Sequence, residues 1–124
     1  MEVVGILSSI IISLIVIGVL VIVHEFGHFI VAKKCGVWVE EFAVGMGKKI
    51  VSKQVGETEY SLRLFPLGGF CRLHGETEEG EITERSFLSK SVWARMAIMA
   101  AGPFMNFLLA LVFLFGLTAT GYII

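Results

Sequence analysis

The chain has 124 residues, of which 56% are hydrophobic and 17% are charged, with ten Lys and Arg against eleven acidic residues. A mean hydropathy of +0.84 is too high for an ordinary soluble domain of this length, so the composition indicates a membrane protein. The nearly balanced charge argues against a nucleic-acid partner and against a polybasic lipid-binding role.

Two long uncharged runs lie toward the two ends of the sequence. They cover residues 3–23 and 96–124, and each is at least as long as the roughly 20 residues that cross a bilayer. We predict transmembrane helices at residues 3–34 and 89–124, the second capped by Ser89 or Ser91. The first run has no Lys or Arg before it and no small-residue cleavage site after it, so we expect a membrane anchor and not a cleaved signal peptide.

The segment between the predicted spans, residues 37–85, has a different character. Its stretch "KKIVSKQVGETEYSLRLF" alternates apolar and polar residues on both sides of Gly56 and Glu57, which predicts a β-hairpin. The next stretch, "PLGGFCRLHGE", has helix-breaking residues that bracket a short apolar strand, and "ETEEGEITER" is typical of a solvated acidic loop. We therefore expect a mainly α membrane protein, with two transmembrane helices joined by a segment that contains a small β-hairpin or β-loop element.

The basic residues indicate how the chain is oriented. All ten Lys and Arg lie between Lys33 and Arg95. By the positive-inside rule we expect residues 33–95 to face the cytoplasm and both termini to lie on the other side of the membrane. Cys35 and Cys71 would then be in a reducing compartment, so we expect no disulfide between them.

The sequence "HEFGH" follows directly after the first apolar run. His24 and His28 are four residues apart and share one face of a helix, where a single metal ion can contact both. Glu25 lies about 100° further around the helix, within reach of a water on that metal. This H-E-x-x-H pattern is typical of two zinc ligands and a general base that accepts the proton of the attacking water. The alternative is a structural pair of histidines, but ionisable groups at membrane depth are costly and usually functional.

Three blocks of the sequence, in this order, resemble a known family: "HEFGHFIVAKKCGVWVEEFAVGMG", "SLRLFPLGGFCRLHGE" and "FLSKSVWARMAIMAAGPFMNFLLA". Together they are similar to the N-terminal part of the site-2 proteases, in particular the bacterial RseP-like branch. The resemblance implies a zinc metalloprotease of the bacterial inner membrane that cuts other membrane proteins in or next to their transmembrane segments. It implies His24 and His28 as zinc ligands and Glu25 as the catalytic residue.

The resemblance also implies substrate contacts. The "PLGGF" block corresponds to a membrane-associated β-element thought to meet substrate, and an open strand edge at Gly69 and Phe70 would suit an unwound substrate strand. The alternative is a hairpin that only anchors the loop. Asn106 corresponds to a polar residue near the active site, with a helix-to-helix hydrogen bond as the alternative. Pro103 after Gly102 is more often a packing kink than a catalytic device.

The sequence does not supply a third zinc ligand in an obvious way. The family uses an Asp on a later membrane helix, and this chain contains no Asp. We do not expect the remaining candidates in the middle segment to bind the metal, because they lack a partner at ligand spacing or a reason to fold back onto the histidines. They are His74, Cys35, Cys71, Glu40, Glu41 and Glu76.

We therefore expect further C-terminal helices to complete the site, and residues 1–124 alone to be inactive as a protease. The expected partners are transmembrane protein substrates and the lipid bilayer. A competing hypothesis is a truncated homologue that acts as a membrane adaptor or scaffold. A zinc transporter is a third hypothesis, which is disfavoured because two helices with one ligand cluster offer no pathway for alternating access.

Overall fold

The computed structural model describes residues 2–76 and 82–121, so part of the predicted acidic loop, residues 77–81, lies outside the described residues. The elements in chain order are helix α1 (Glu2–Lys34), strand β1 (Val39–Val55), strand β2 (Thr58–Leu73), a short 3-10 turn (Phe87–Ser89) and helix α2 (Val92–Ala119). Both α-helices are long and apolar enough to cross a membrane, and β1 and β2 form an antiparallel hairpin between them. The predicted fold class is confirmed.

Helix α1 is exposed along most of its length. Its large apolar side chains from Val3 to Ile22 are mostly exposed, which in water would be a very large apolar patch. The helix ends at Lys33 and Lys34, whose charges favour the carbonyl end of a helix. Gly36 follows with a φ of 82°, a left-handed conformation that ends helices and suits glycine.

Helix α2 begins after Ser91, which decides between the two predicted caps. The Ser91 side-chain oxygen accepts a hydrogen bond from the backbone N–H of Ala94 at 3.2 Å. Ser89 instead lies in the 3-10 turn and donates its hydroxyl to the carbonyl oxygen of Ser86 at 2.7 Å. Pro103 lies inside α2, where its missing N–H leaves the carbonyl of the residue four positions earlier without its usual partner.

The two helices approach each other backbone to backbone. A Cβ atom placed on Gly27 of α1 would lie 2.3 Å from the carbonyl oxygen of Ala101 on α2, so only glycine fits at this crossing. Small residues are the usual way for membrane-length helices to pack this closely. Near the crossing lies a small hydrophobic core, which joins both helices to the base of the hairpin and contains Ala32, Val37, Val39, Leu73 and Ile98.

Strand β1 is bent, so that it pairs with β2 twice. Phe42 pairs with Cys71 on one side and with Tyr60 on the other, and Lys53 further along β1 also pairs with Tyr60. The first part of β2 therefore lies between the two halves of β1. The last part, residues 69–73, pairs with β1 on one side, and within the described residues no strand pairs with its other side. This second side is called the open edge below.

The "PLGG" stretch does not interrupt β2, contrary to the expectation of a short strand bracketed by Pro and Gly. Gly68 has a φ of 91°, and a Cβ on Gly69 would lie 2.6 Å from the Ala43 carbonyl oxygen, so the strand stays continuous because these positions are glycine. The Pro66 carbonyl oxygen lies 3.8 Å from the Cβ position of Gly18 on α1. Since Gly18 precedes His24 by six residues, this part of the hairpin lies beside the apolar run, about 9 Å along α1 from His24.

A buried carboxylate ties the two strands together. Glu41 of β1 is 1% exposed, accepts a hydrogen bond from the Ser61 hydroxyl at 2.5 Å and forms ion pairs with Arg63 and Arg72 of β2. Burial acts to raise the pKa of Glu41. The hydrogen bonds from Ser61 and Arg63 and the charges of Arg63 and Arg72 outweigh burial and hold that pKa below its ordinary value. Glu41 therefore stays charged at neutral pH, and its hydrogen bond and ion pairs to β2 serve to hold the two strands together.

Candidate active site

His24 and His28 turn their imidazoles toward each other on one face of α1. Their Nε2 atoms are 3.0 Å apart. Two nitrogens that bind one tetrahedral zinc at 2.0–2.1 Å would be separated by about 3.3 Å. The observed separation is close to that value, so the pair fits two positions of a zinc coordination sphere.

The second helix fixes the tautomer of His28. Its Nδ1 lies 2.6 Å from the carbonyl oxygen of Ile98 on α2. A carbonyl oxygen can only accept a hydrogen bond, so Nδ1 carries the proton and Nε2 of the neutral ring keeps its lone pair. Metal-binding histidines are commonly held in this way, with the other ring nitrogen donating to a backbone carbonyl.

Gly102 of α2 lies directly against the imidazole pair. A Cβ atom on Gly102 would be 2.6 Å from Nε2 of His28 and 2.7 Å from Nε2 of His24. Any side chain at this position would displace the two rings. The glycine in "GPFMNF", which the sequence indicated only as a packing residue, therefore also forms one wall of the site.

Glu25 and Asn106 share a cavity with His24. The cavity has a volume of about 270 Å³ and is otherwise lined by apolar residues of α1. The side-chain oxygen of Asn106 is buried and has no hydrogen-bond partner among the described residues, so this oxygen does not form the helix-to-helix hydrogen bond considered as an alternative. The structure thus brings His24, Glu25, His28 and Asn106 to one place between the two helices.

A second cavity lies on the hairpin side of the histidine pair. It has a volume of about 290 Å³, and His28, Cys71 and Glu76 are among the residues that line it. Burial, with the nearby charges of Glu25 and Glu76, raises the pKa of the Cys71 thiol to about 12, so the thiol stays protonated at neutral pH. Glu76 is therefore closer to the histidines than its position in a loop suggested.

The strand edge lies beside the same site. Gly69 and Phe70 belong to the part of β2 that carries the open edge, and the backbone N–H of Cys71 lies near the Glu25 carboxylate. The guanidinium of Arg63 packs 5.0 Å from the centre of the Phe70 ring. An extended peptide on the open edge would thus lie next to Glu25.

The described residues supply two candidate metal ligands and not three. Within residues 2–76 and 82–121, no group of three His, Cys, Asp or Glu side chains is placed to hold one metal ion. His74 instead lies 2.7 Å from a Glu40 oxygen and packs at a tilt against Trp38, with ring centres 4.7 Å apart. The imidazoles of His24 and His28, with the adjacent Glu25 carboxylate, are donor groups that suit zinc.

A histidine pair with an adjacent glutamate, on a helix long and apolar enough to cross a membrane, is the arrangement expected of a metallopeptidase family, and comparison with known proteins agrees. The model of peptidase family M50 matches residues 12–122, so the chain belongs to this family. The resemblance to the site-2 proteases is confirmed.

Relatives of the chain carry protease names. A Clostridium perfringens protein named "putative zinc metalloprotease" is 50% identical over 108 residues, which is 87% of this chain and 32% of that protein. The regulator of sigma-E protease RseP of Escherichia coli is 46% identical over 110 residues, 85% of this chain and 24% of its own length. The protease RseP of Yersinia pestis is 44% identical over 112 residues, with 87% and 25% covered. The chain thus spans about a quarter to a third of the length of these relatives.

Proposed function

We propose that the chain is the N-terminal catalytic part of a membrane-embedded zinc metalloprotease that hydrolyses peptide bonds in or near transmembrane segments of other membrane proteins, as a step in regulated intramembrane proteolysis. The observation that carries the proposal is the convergence of the His24 and His28 Nε2 atoms beside Glu25, at the end of a membrane-length helix. Zinc bound there would supply Lewis-acid activation of water and of the substrate carbonyl.

Each residue of the site has a proposed role. His24 and His28 would hold zinc through Nε2, and His28 is oriented by its bond to Ile98. The Glu25 carboxylate takes the proton of the attacking water and passes it to the leaving amine. Asn106 lines the same cavity and carries a buried oxygen without a partner among the described residues, and we propose that this oxygen accepts a hydrogen bond from a substrate N–H.

The open edge of β2 provides a way to hold the substrate. A helical substrate hides its peptide bonds inside its own hydrogen bonds, so it must be extended before it is cut. An extended segment on residues 69–73, which include Gly69 and Phe70, would replace those lost bonds with backbone bonds to β2. The hairpin lies beside the apolar run of α1, which supports a role for it in taking substrate from the bilayer.

The third zinc ligand and the setting of the enzyme are also proposals. We propose that further helices supply the missing ligand, since the described residues supply two and the chain spans only part of its relatives. We place the protein in a bacterial inner membrane, with residues 33–95 on the cytoplasmic side and the termini on the opposite side. The bacterial relatives and the distribution of Lys and Arg support this placement.

The test is cleavage of a membrane-protein substrate by the natural full-length chain. We expect Glu25→Gln to abolish cleavage while bound zinc stays near the wild-type level, because the carboxylate moves a proton and does not bind the metal. Glu84→Gln, at an exposed glutamate outside the site, is the matched control and should cleave normally. Full cleavage by Glu25→Gln would exclude the proposed base. A wild-type protein that binds membrane partners without cutting any would favour the adaptor hypothesis instead.

A further inference from the structure

We propose that the second cavity, on the hairpin side of the histidine pair, holds an apolar side chain of the substrate next to the bond that is cut. This inference rests on the proposed function and adds a specificity pocket to it. The pocket requires only that the cut bond lies between His28 and Glu25. It requires no backbone pairing at Cys71, whose N–H donates to the Glu25 carboxylate.

The first observation is where the cavity lies. One lining residue is His28, a proposed zinc ligand, and another is Cys71, whose backbone N–H is bonded to the proposed base Glu25. The cavity therefore borders both groups that would act on the peptide bond. Because the two Cα atoms that flank a peptide bond are about 3.8 Å apart, both side chains next to a bond cut here begin close to the cavity.

The second observation is that the walls are mostly apolar and well packed. Leu73 and Ile98 are 7% and 1% exposed and belong to the hydrophobic core. The Ile98 carbonyl oxygen also holds Nδ1 of His28, so the cavity and this ligand keep a fixed relative position. Phe87 and Met99 complete the apolar lining. Burial of an apolar side chain such as leucine in this space of about 290 Å³ would favour binding.

The third observation concerns charge. The Cys71 thiol stays protonated at neutral pH, so this wall is small and uncharged. Glu76 is exposed, and its carboxylate accepts a hydrogen bond from the Leu73 N–H at 2.9 Å. A charged side chain would lose its hydration against the apolar walls, and an acidic one would also be repelled by Glu76. The cavity therefore favours leucine over aspartate.

A cavity that is only a packing defect predicts a different result. Filling such a defect with a larger side chain changes the stability of the protein and leaves the choice of substrate unchanged. Filling a pocket that binds a substrate side chain changes which substrates are cut. The ratio of cleavage rates for two substrates therefore separates the two roles, because a loss of stability affects both rates alike.

The experiment uses the full-length protein and transmembrane substrates that carry Leu, Ala or Asp at each residue flanking the cut. At one of these positions the wild type should cut the Leu substrate with a kcat/KM at least about 10-fold above the Ala and Asp substrates. Cys71→Leu fills the cavity and should abolish the preference for Leu over Ala. Cys71→Val adds less volume and serves if Cys71→Leu does not fold.

The matched control for volume is Cys35→Leu. Cys35 is also partly buried and packs against the same hydrophobic core, but it does not line the cavity. This variant should keep the wild-type preference. For charge, Glu76→Gln keeps an oxygen that can accept from Leu73 and should raise cleavage of the Asp substrate relative to the Leu substrate. Glu84→Gln is its control and should leave that ratio unchanged.

A second readout does not depend on activity. In the Glu25→Gln background, substrates carry a photoreactive diazirine analogue of leucine at each flanking residue, and mass spectrometry locates the cross-links. We expect one position to cross-link to Cys71, Leu73 or Met99. Cross-links from both positions only to Leu20 or Val21 would place the side chains in the cavity shared by Glu25 and Asn106, and would overturn the inference.

The two proposals fail in different ways. Unchanged preference for Leu over Ala in the folded Cys71 variants would overturn the pocket and leave the protease proposal intact. Absence of Glu25-dependent cleavage by the wild-type protein would overturn the protease proposal. In that case the cross-linking experiment still decides whether the second cavity holds a side chain of a bound membrane protein.

Discussion

His28 on the first helix is bonded to Ile98 on the second, with its Nδ1 2.6 Å from the Ile98 carbonyl oxygen. This bond fixes the tautomer and orientation of one proposed zinc ligand from the other helix. The pair of ligands is therefore a property of two packed helices, although both histidines lie on one of them.

The first prediction concerns the metal ligands. We expect His24→Ala and His28→Ala each to lose both zinc and cleavage, because each removes one of the two imidazoles that converge on the site. His74→Ala should keep its zinc, since His74 is engaged with Glu40. Zinc content after purification in detergent, measured beside cleavage, is the test. Normal zinc in either of the first two variants would refute the ligand assignment.

The second prediction uses the contact between Gly102 and the imidazoles. The Cβ atom of Gly102→Ala would overlap both rings, so the ligands must move apart. We expect zinc affinity to fall by about 10–100-fold, the effect of disturbing the groups that orient metal ligands. Gly116→Ala in the same helix is the control, because nothing lies within 4 Å of the Cβ position there. Equal zinc affinity in both variants would show that α2 can move away from the imidazoles without weakening zinc binding.

The third prediction concerns orientation in the membrane. A reporter inserted near Gly80 should lie on the cytoplasmic side, and one fused after Ile124 should lie on the opposite side, since all Lys and Arg lie from Lys33 to Arg95. Both sites lie outside the described residues, so the prediction depends on the sequence alone. Inverted signals from the two reporters would move the proposed active site to the other half of the membrane.

The fourth prediction is that residues 1–124 alone do not cleave substrate. Catalytic zinc is ordinarily held by three protein ligands, and the described residues bring together two. The isolated polypeptide should bind zinc weakly, while a longer chain that includes the following helices should bind it stoichiometrically. Tightly bound zinc and Glu25-dependent cleavage by residues 1–124 would mean that a nearby side chain completes the site, with Glu76 as the first to be tested.

The fifth prediction follows from the lowered pKa of Glu41. Because the carboxylate is stabilised in the folded hairpin, its contribution is present above the ordinary pKa of 4.5 and is lost as the pH falls through the lower folded-state value. The protection of amides in β1 and β2, measured relative to their intrinsic exchange rate at each pH, should therefore fall below about pH 4.5. Glu41→Gln should destabilise the hairpin by about 2 kcal/mol at pH 7 and remove this dependence on pH. If the Glu41→Gln hairpin still lost stability at low pH as the wild type does, another titrating group would be responsible for the pH dependence.

Parts of this structure follow from local sequence, and others do not. The spacing of His24 and His28 predicts their common face because helix geometry alone decides it, and Gly56 and Glu57 similarly predict the hairpin turn. The double pairing of Phe42 with Cys71 and Tyr60 was not predictable, since it depends on residues 29 and 18 positions away.

The packing of one element on another also cannot be predicted from local sequence patterns. The sequence gives no register between the two helices, so it indicates that Gly102 is small but not that it faces the imidazoles. Glu76 was missed for a related reason. A glutamate next to an acidic loop is expected to be solvated. In the structure β2 ends at Leu73, and the Glu76 carboxylate accepts a hydrogen bond from the Leu73 N–H.

The backbone contact between Gly27 and Ala101 acts as a pivot for the two helices. When helices tilt about such a point, each atom moves in proportion to its distance from it. His24 and His28 are within about one turn of the pivot, whereas Gly5 is about 33 Å away along the axis. A change in bilayer thickness or in the tilt of α1 therefore swings the far end of the helix widely and leaves the distances from the imidazoles to Ile98 and Gly102 of α2 nearly constant.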